Sequence, residues 1–356
     1  MRITDKLLIT PKEIEPSFSE WKVQGVFNPA AVRLPDGKIL LMARVAEQHL
    51  HNGKVIHCPM ITDSGFSSEA IPMKMVRKRT KTHVYLRNGV CRLTTFSHFR
   101  TITLNEDGLH VEHAGRNPAF TGLPGEGEYG VEDPRLTKLQ HRYAMTYVGV
   151  SRREGISTFL ALSDDLISWK RQGIIFREQN KDAVLFPEKI KGKYVALNRP
   201  EGTFAKPSIW ISYSPDLIYW GREKSLLQPR SGWEESRIGA GTPPLKTPEG
   251  WLCIYHGMRE QKQQHRIIRS YSAGAFLLDL KNPERVLARS SKDIPLIKPN
   301  KPYEQKGFIA NVVFPTGAVM GINKKDLLIY AGGADAVISV KKIRLKDIFN
   351  HMEWAR

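Results

Sequence analysis

The residues best suited to chemistry stand together in Gly130-Val-Glu-Asp-Pro-Arg135. Two adjacent carboxylates, Glu132 and Asp133, followed by proline and arginine would make a poor buried strand. Pro134 pushes Asp133 toward extended backbone and interrupts regular pairing, which narrows the directions its side chain can take. Neighbouring side chains on an extended chain point to opposite faces, so Glu132 and Asp133 are expected to do different work. Arg135 adds a permanently charged fork of donors that can hold a carboxylate or sugar hydroxyls. The set can serve chemistry or simply hold a turn through a structural Asp–Arg pair. Spacing alone leaves both open.

Other candidate motifs fall away on physical grounds. Gly125-Glu-Gly-Glu-Tyr-Gly130 has the glycine spacing of a dinucleotide loop. That loop needs a preceding strand and a helix whose N-terminus meets the phosphates. Here Pro134 follows within a few residues, and Glu126 and Glu128 would repel phosphate. His49, His51, His57 and Cys58 are close in sequence but lack the tight paired spacing of a zinc site, so loop histidines without a metal are expected. The basic run Met75-Val-Arg-Lys-Arg-Thr-Lys-Thr-His83 comes with no nucleic-acid module and reads as a solvated loop or part of an anion-attracting rim.

Residues scattered along a chain need a frame that brings them together, and repetition supplies one. A turn followed by an aromatic-rich strand recurs as Pro35-Asp-Gly-Lys-Ile-Leu-Leu-Met42, Gln140-His-Arg-Tyr-Ala-Met-Thr-Tyr147 and Lys191-Gly-Lys-Tyr-Val-Ala-Leu197. It returns as Pro248-Glu-Gly-Trp-Leu-Cys-Ile-Tyr255 and Asn323-Lys-Lys-Asp-Leu-Leu-Ile-Tyr330. A second element, Ser163-Asp-Asp-Leu-Ile-Ser-Trp169, recurs 51 residues later as Ser214-Pro-Asp-Leu-Ile-Tyr-Trp220, with a weaker copy from Leu104. Each unit reads as an inner pair of strands, an acidic turn and an outer strand that bears Trp in the clearest copies. Five such units, none able to bury its faces alone, predict an all-β, five-bladed β-propeller spanning residues 1–356 as a single domain. A β-sandwich is the competing architecture. The only helical periodicity is in the tail from Lys342 to Arg356, which predicts a C-terminal helix. Terminal segments are expected to lie outside the repeats, where a homo-oligomer could form contacts.

Composition agrees with a large folded enzyme or binding protein. The chain has 356 residues, 41% hydrophobic and 25% charged, which excludes disordered and fibrous classes. The formal net charge of +18 favours anionic partners. No apolar run is long enough to cross a bilayer and no signal peptide is evident, so no membrane partner is expected. Three scattered cysteines fit a reducing, cytoplasmic setting.

The Gly130–Arg135 stretch closely resembles the signature of glycoside hydrolase family 130, the mannoside phosphorylases and related mannosidases. The likeness continues through Val26-Phe-Asn-Pro-Ala-Ala31, Asn180-Lys-Asp-Ala-Val-Leu-Phe-Pro-Glu-Lys-Ile190 and Arg237-Ile-Gly-Ala-Gly-Thr-Pro-Pro-Leu245. It also takes in Gly250–Gly257, Ala275–Leu280, Asn311–Phe314 and Tyr330–Asp335, and so covers most of the chain in order. The resemblance implies a five-bladed propeller with Asp133 as general acid. It implies a phosphate pocket of Lys181, Arg199, Arg237 and His256, and sugar contacts from Asn28, Arg44, Arg135, Glu304 and Asp335. The hydrolytic members lack the basic set, which opposite charge around a dianion requires.

The expected reaction is therefore inverting phosphorolysis of a β-mannoside to α-mannose 1-phosphate, on β-1,2-mannobiose or a short β-1,2-oligomannoside. Inorganic phosphate is the co-substrate, with no cofactor, metal or nucleic acid. Phosphorolysis of β-1,4-linked mannosides, an inverting β-mannosidase and a non-catalytic glycan-binding propeller are the alternatives. The stretch from His49 to Arg100 departs from the family pattern and is the expected place where the acceptor side is shaped.

Overall fold

The computed structural model describes residues 1–50, 55–264 and 266–355, so His51 falls outside the described residues. Five antiparallel sheets follow one another along the chain. The first runs Trp21–Arg33, Ile39–His49, Phe96–Leu104 and Val111–Ala114. The second holds Val131–Leu139, Arg142–Ser151, Gly155–Ser163 and Lys170–Phe176, and the third Asn180–Leu185, Tyr194–Pro200, Ile209–Ser214 and Gly221–Leu227. The fourth starts at Arg237–Ala240, continues through Gly250–Gln263, Arg266–Leu278 and Val286–Ser290, and adds Met352–Trp354 at its edge. The fifth joins Val313–Met320, Asp326–Gly333 and Val337–Arg344 to the N-terminal strand Ile3–Ile9.

The second strand of each sheet is nearly continuous apolar sequence, because both of its faces are covered. Leu41, Met42, Met145, Leu197, Ile254 and Ile329 are fully buried. Apolar clusters fill the spaces between successive sheets. Met42, Phe99 and Tyr147 join the first to the second, Leu160, Leu185 and Ala196 the second to the third, and Leu197, Trp251 and Tyr255 the third to the fourth. Ile254, Leu277 and Ile329 join the fourth to the fifth, and Val26, Leu41, Leu328 and Val340 return from the fifth to the first.

All five repeated turns lie between the first and second long strands of a sheet. The second repeated element is one built turn. Ser163 Oγ accepts from Leu166 N at 2.8 Å while Asp165 accepts from Ile167 and Ser168 N, and Ser214 and Asp216 repeat these contacts around Leu217. Trp169 and Trp220 sit just before the outer strands rather than within them.

Three expectations need correction. The tail helix shrinks to Leu345–Asn350, because Ile343 is drawn into a strand between Ile3 and Leu327 and Met352 pairs with Ser290. Long-range pairing thus overrides the helical spacing. The termini, expected outside the repeats, are strands of the fifth and fourth sheets. Between the second and third strands of the first sheet, an insertion forms the pair Val55–Thr62 and Gly65–Pro72 and a small sheet of Val76–Arg79, His83–Leu86 and Cys91–Leu93. Much of the basic run is therefore strand, not loop.

Candidate active site

The first strands of the first three sheets break register at matching places, between Phe27 and Ala30, Glu132 and Arg135, and Lys181 and Val184. Each bulge carries an amide or carboxylate in left-handed backbone: Asn28 at φ 46°, Asp133 at φ 51° and Asp182 at φ 55°. Asn and Asp tolerate this region better than other side chains, and a bulge re-aims the residue it carries. The extended backbone expected for Asp133 is therefore wrong, and so is the alternation. Bent by the bulge, Glu132 and Asp133 both reach one guanidinium.

That guanidinium is Arg44, from the neighbouring strand Ile39–His49. Its Nη1 lies 2.9 Å from Asp133 Oδ1 and its Nη2 2.8 Å from Glu132 Oε1. Asn28 donates to the same Asp133 oxygen at 2.9 Å. Lys181 Nζ is 3.3 Å from the other Glu132 oxygen. Burial alone would raise the Glu132 carboxyl, but Arg44 and Lys181 overcome it and hold the group at about 2. Asp335, at φ 49° beyond the strand Asp326–Gly333, behaves oppositely. Burial, reinforced by Asp133 and Glu132, pushes its carboxyl up to about 7 although Arg44 and Lys181 oppose the shift. Arg44, Glu132, Lys181 and Asp335 line one cavity with Gln24, Phe27 and Phe308. Thr82 and His83 of the insertion also line it.

A second cluster adjoins the first, because Lys181 pairs with Arg199 across the third sheet. Asp182 receives ion pairs from Arg199 and, at 3.5 Å, from Arg135, and lies 3.3 Å from His256 Nε2. Burial would raise Asp182, but Arg199, His256 and Arg135 hold it well below the usual carboxylate range. Burial likewise lowers the His256 imidazole, with Asp182 opposing the shift. Gly239 is required here, since a Cβ would stand 2.2 Å from Asp182 Oδ2 and 2.6 Å from His256 Cε1. Glu201 Oε1 accepts from Arg199 Nη2 at 2.7 Å and from Arg237 Nη1 at 3.3 Å.

The structure thus gathers Asn28, Arg44, Asp133, Lys181 and Asp335 in one group and Arg199, Arg237 and His256 in another. Arg135 is 1% exposed, with Nε on Gly241 O at 2.6 Å and Nη1 on Asp133 O at 2.7 Å. It braces the Asp133 bulge from within rather than facing a ligand. Glu304 does not join either group. Fully buried, it accepts from Asn300 and Lys301 N and pairs with Lys341, capping the short helix Pro302–Gln305. Sequence reasoning passed over Asp182, Glu201 and Phe308. The matching sequences Phe27-Asn-Pro, Glu132-Asp-Pro and Lys181-Asp-Ala, each in the first strand of a unit, carried the signal for Asp182. Among the described residues no group of His, Cys, Asp and Glu is placed to hold a metal ion. No helix among them is long and apolar enough to cross a membrane.

Carboxylates on bulged strands thus stand beside a cluster of arginines in one polar site. A family model described as β-1,4-mannooligosaccharide phosphorylase matches residues 94–354, and the chain belongs to glycoside hydrolase family 130. It is 42% identical over 350 residues to a 1,2-β-oligomannan phosphorylase of Thermoanaerobacter sp. (strain X514), covering 98% of each chain. It is 32% identical to a β-1,2-mannobiose phosphorylase of Listeria innocua, covering 99% of this chain and 98% of that one. The structure of the Listeria innocua β-1,2-mannobiose phosphorylase with β-1,2-mannobiose superposes with a TM-score of 0.88 at 30% identity, over 99% of both chains.

Proposed function

We propose that this protein catalyses inverting phosphorolysis of a β-mannoside, either β-1,2-mannobiose or a short β-1,2-oligomannoside. Inorganic phosphate is the co-substrate and α-mannose 1-phosphate the product. The observation that carries this reading is the meeting of buried Arg199 and His256 with half-buried Arg237 beside the strand that bears Asp133. Guanidinium forks bind phosphate oxygens in pairs. Phosphate arrives already nucleophilic, so the reaction needs one acid and no second carboxylate base. Glu132, ionised under two cations, is unable to donate a proton. Asp133 is assigned that role, with Oδ1 held by Arg44 and Asn28. His256 adds a ring nitrogen within reach of Arg199 and Asp182.

The linkage rests on the two relatives that match nearly the whole chain, both named for β-1,2-mannosides. The β-1,4-mannooligosaccharide phosphorylase of Ruminococcus albus matches 70% of this chain at 31% identity. The insertion supports an acceptor-side role for residues 55–95, since it delivers Thr82 and His83 to the cavity. The five sheets are read as the blades of one propeller, a single domain over residues 1–356. The apolar clusters between successive sheets, and from the last back to the first, support that reading. The unpaired cysteines Cys58, Cys91 and Cys253 support a cytoplasmic location.

Incubation with β-1,2-mannobiose, with and without phosphate, tests the function. Mannose 1-phosphate formed only with phosphate is expected. Mannose released in phosphate-free buffer would make the protein a mannosidase, and binding without turnover would make it a lectin-like propeller.

A further inference from the structure

Glu201 stands where a phosphate site has no use for a carboxylate. One of its oxygens touches both Arg199 and Arg237, at 2.7 and 3.3 Å. Carboxylate and phosphate offer a guanidinium the same thing, anionic oxygens on a rigid centre. Asp182 pairs with Arg199 and Arg135, and Glu201 with Arg199 and Arg237, so two carboxylates already offset two of the three arginine charges before phosphate arrives. The main chain at Glu201 is pinned, with its N–H on Gln179 O at 2.9 Å. Its side chain is 23% exposed and is followed by the exposed residues Gly202 to Lys206, which leaves room to rotate. Arg199 Nε, Arg237 Nε and His256 Nδ1 are buried without a hydrogen-bond partner among the described residues. Glu201 therefore does not saturate the donors around it, whereas a tetrahedral anion with four oxygens can engage more of them.

We propose that the Glu201 carboxylate is a built-in competitor for phosphate. It sits on Arg199 and Arg237 in the free enzyme and rotates away when the anion binds. This rests on the phosphorylase reading above and adds to it an internal brake on co-substrate affinity. A competing internal state lowers apparent affinity by the fraction of molecules it occupies. The pair is part exposed, so removing it is expected to change phosphate affinity by about three- to tenfold.

The test is steady-state phosphorolysis of β-1,2-mannobiose with phosphate varied, in the wild type and in Glu201→Gln and Glu201→Ala. The KM for phosphate should fall by about three- to tenfold in the variants, with the KM for mannobiose moving far less. Inhibition by sulfate, an unreactive tetrahedral anion, should strengthen in parallel. A phosphate KM that rises or holds steady in a variant with a wild-type melting curve would mean that Glu201 orients the arginines, and would overturn the proposal. The Ala variant decides if the Gln variant does not fold. Wild-type turnover that ignores phosphate would remove the phosphorylase reading and this proposal with it, a failure visible without any variant.

Discussion

Asp335 is the carboxyl whose protonation the fold disturbs most usefully. The unfolded chain releases this proton near 3.8, the folded chain near about 7. Between those values the folded state holds more protons, so stability is full below the lower value and falls as pH rises through the upper one. Each pKa unit is worth about 1.36 kcal/mol, which sets a ceiling of about 4 kcal/mol for the whole shift. Of that, about 2–3 kcal/mol would be lost between pH 5 and pH 8. Asp335 is not wholly buried, and solvent screening reduces the realised loss to about 1–2 kcal/mol. Asp335→Asn keeps the shape and removes the titration. The variant should therefore gain on the wild type by about 1–2 kcal/mol as pH goes from 5 to 8. Urea unfolding followed by tryptophan fluorescence at constant ionic strength measures this directly. A variant-minus-wild-type difference that stays flat or shrinks over that range would refute the reasoning.

Asp133→Asn should lower kcat by about a hundred- to ten-thousandfold, the usual worth of a positioned general acid, with an unchanged circular dichroism spectrum. His83→Ala should raise the KM for mannobiose by about two- to tenfold, the loss of one hydrogen bond, while the KM for phosphate stays put. Lys341→Met should cost about 3–5 kcal/mol in urea unfolding, because it leaves the buried Glu304 charge without its ion-pair partner.

The sheets were legible because each unit repeats its own turn chemistry. Ser163 and Asp165 announce the same hydrogen bonds as Ser214 and Asp216, and a reader of the sequence needs only the spacing to see it. The meeting of Arg199, Arg237 and His256 was legible only through resemblance, since the three lie in different strands, and Lys181, expected with them, pairs with Glu132 instead. Backbone direction at the site was not legible. The rule that proline keeps its predecessor extended lost at Asp133, where a bulge stabilised by Arg44, Asn28 and Arg135 imposes left-handed backbone. The tail helix failed for a related reason. Its apolar spacing suits a helix, but the partners of Ile343 and Met352 lie far away in sequence, and local periodicity carries no record of them. Glu304 shows the limit of carrying roles by position. The side chain sits on a turn that leads toward the site, yet its charge is spent on Lys341 and two backbone N–H groups.

The strand Ile3–Ile9 and its partner Val337–Arg344 are separated in sequence by the four intervening sheets. The fifth sheet therefore cannot be completed until Val337–Arg344 has left the ribosome. Until release, the edge of Val337–Arg344 and the apolar surface over Val26 and Leu41 remain open to other chains. Loss of the strand Ile3–Ile9 would leave the site residues in place but the edge of Val337–Arg344 unpaired, so the harm of such a deletion should appear in expression yield and aggregation before it appears in catalysis.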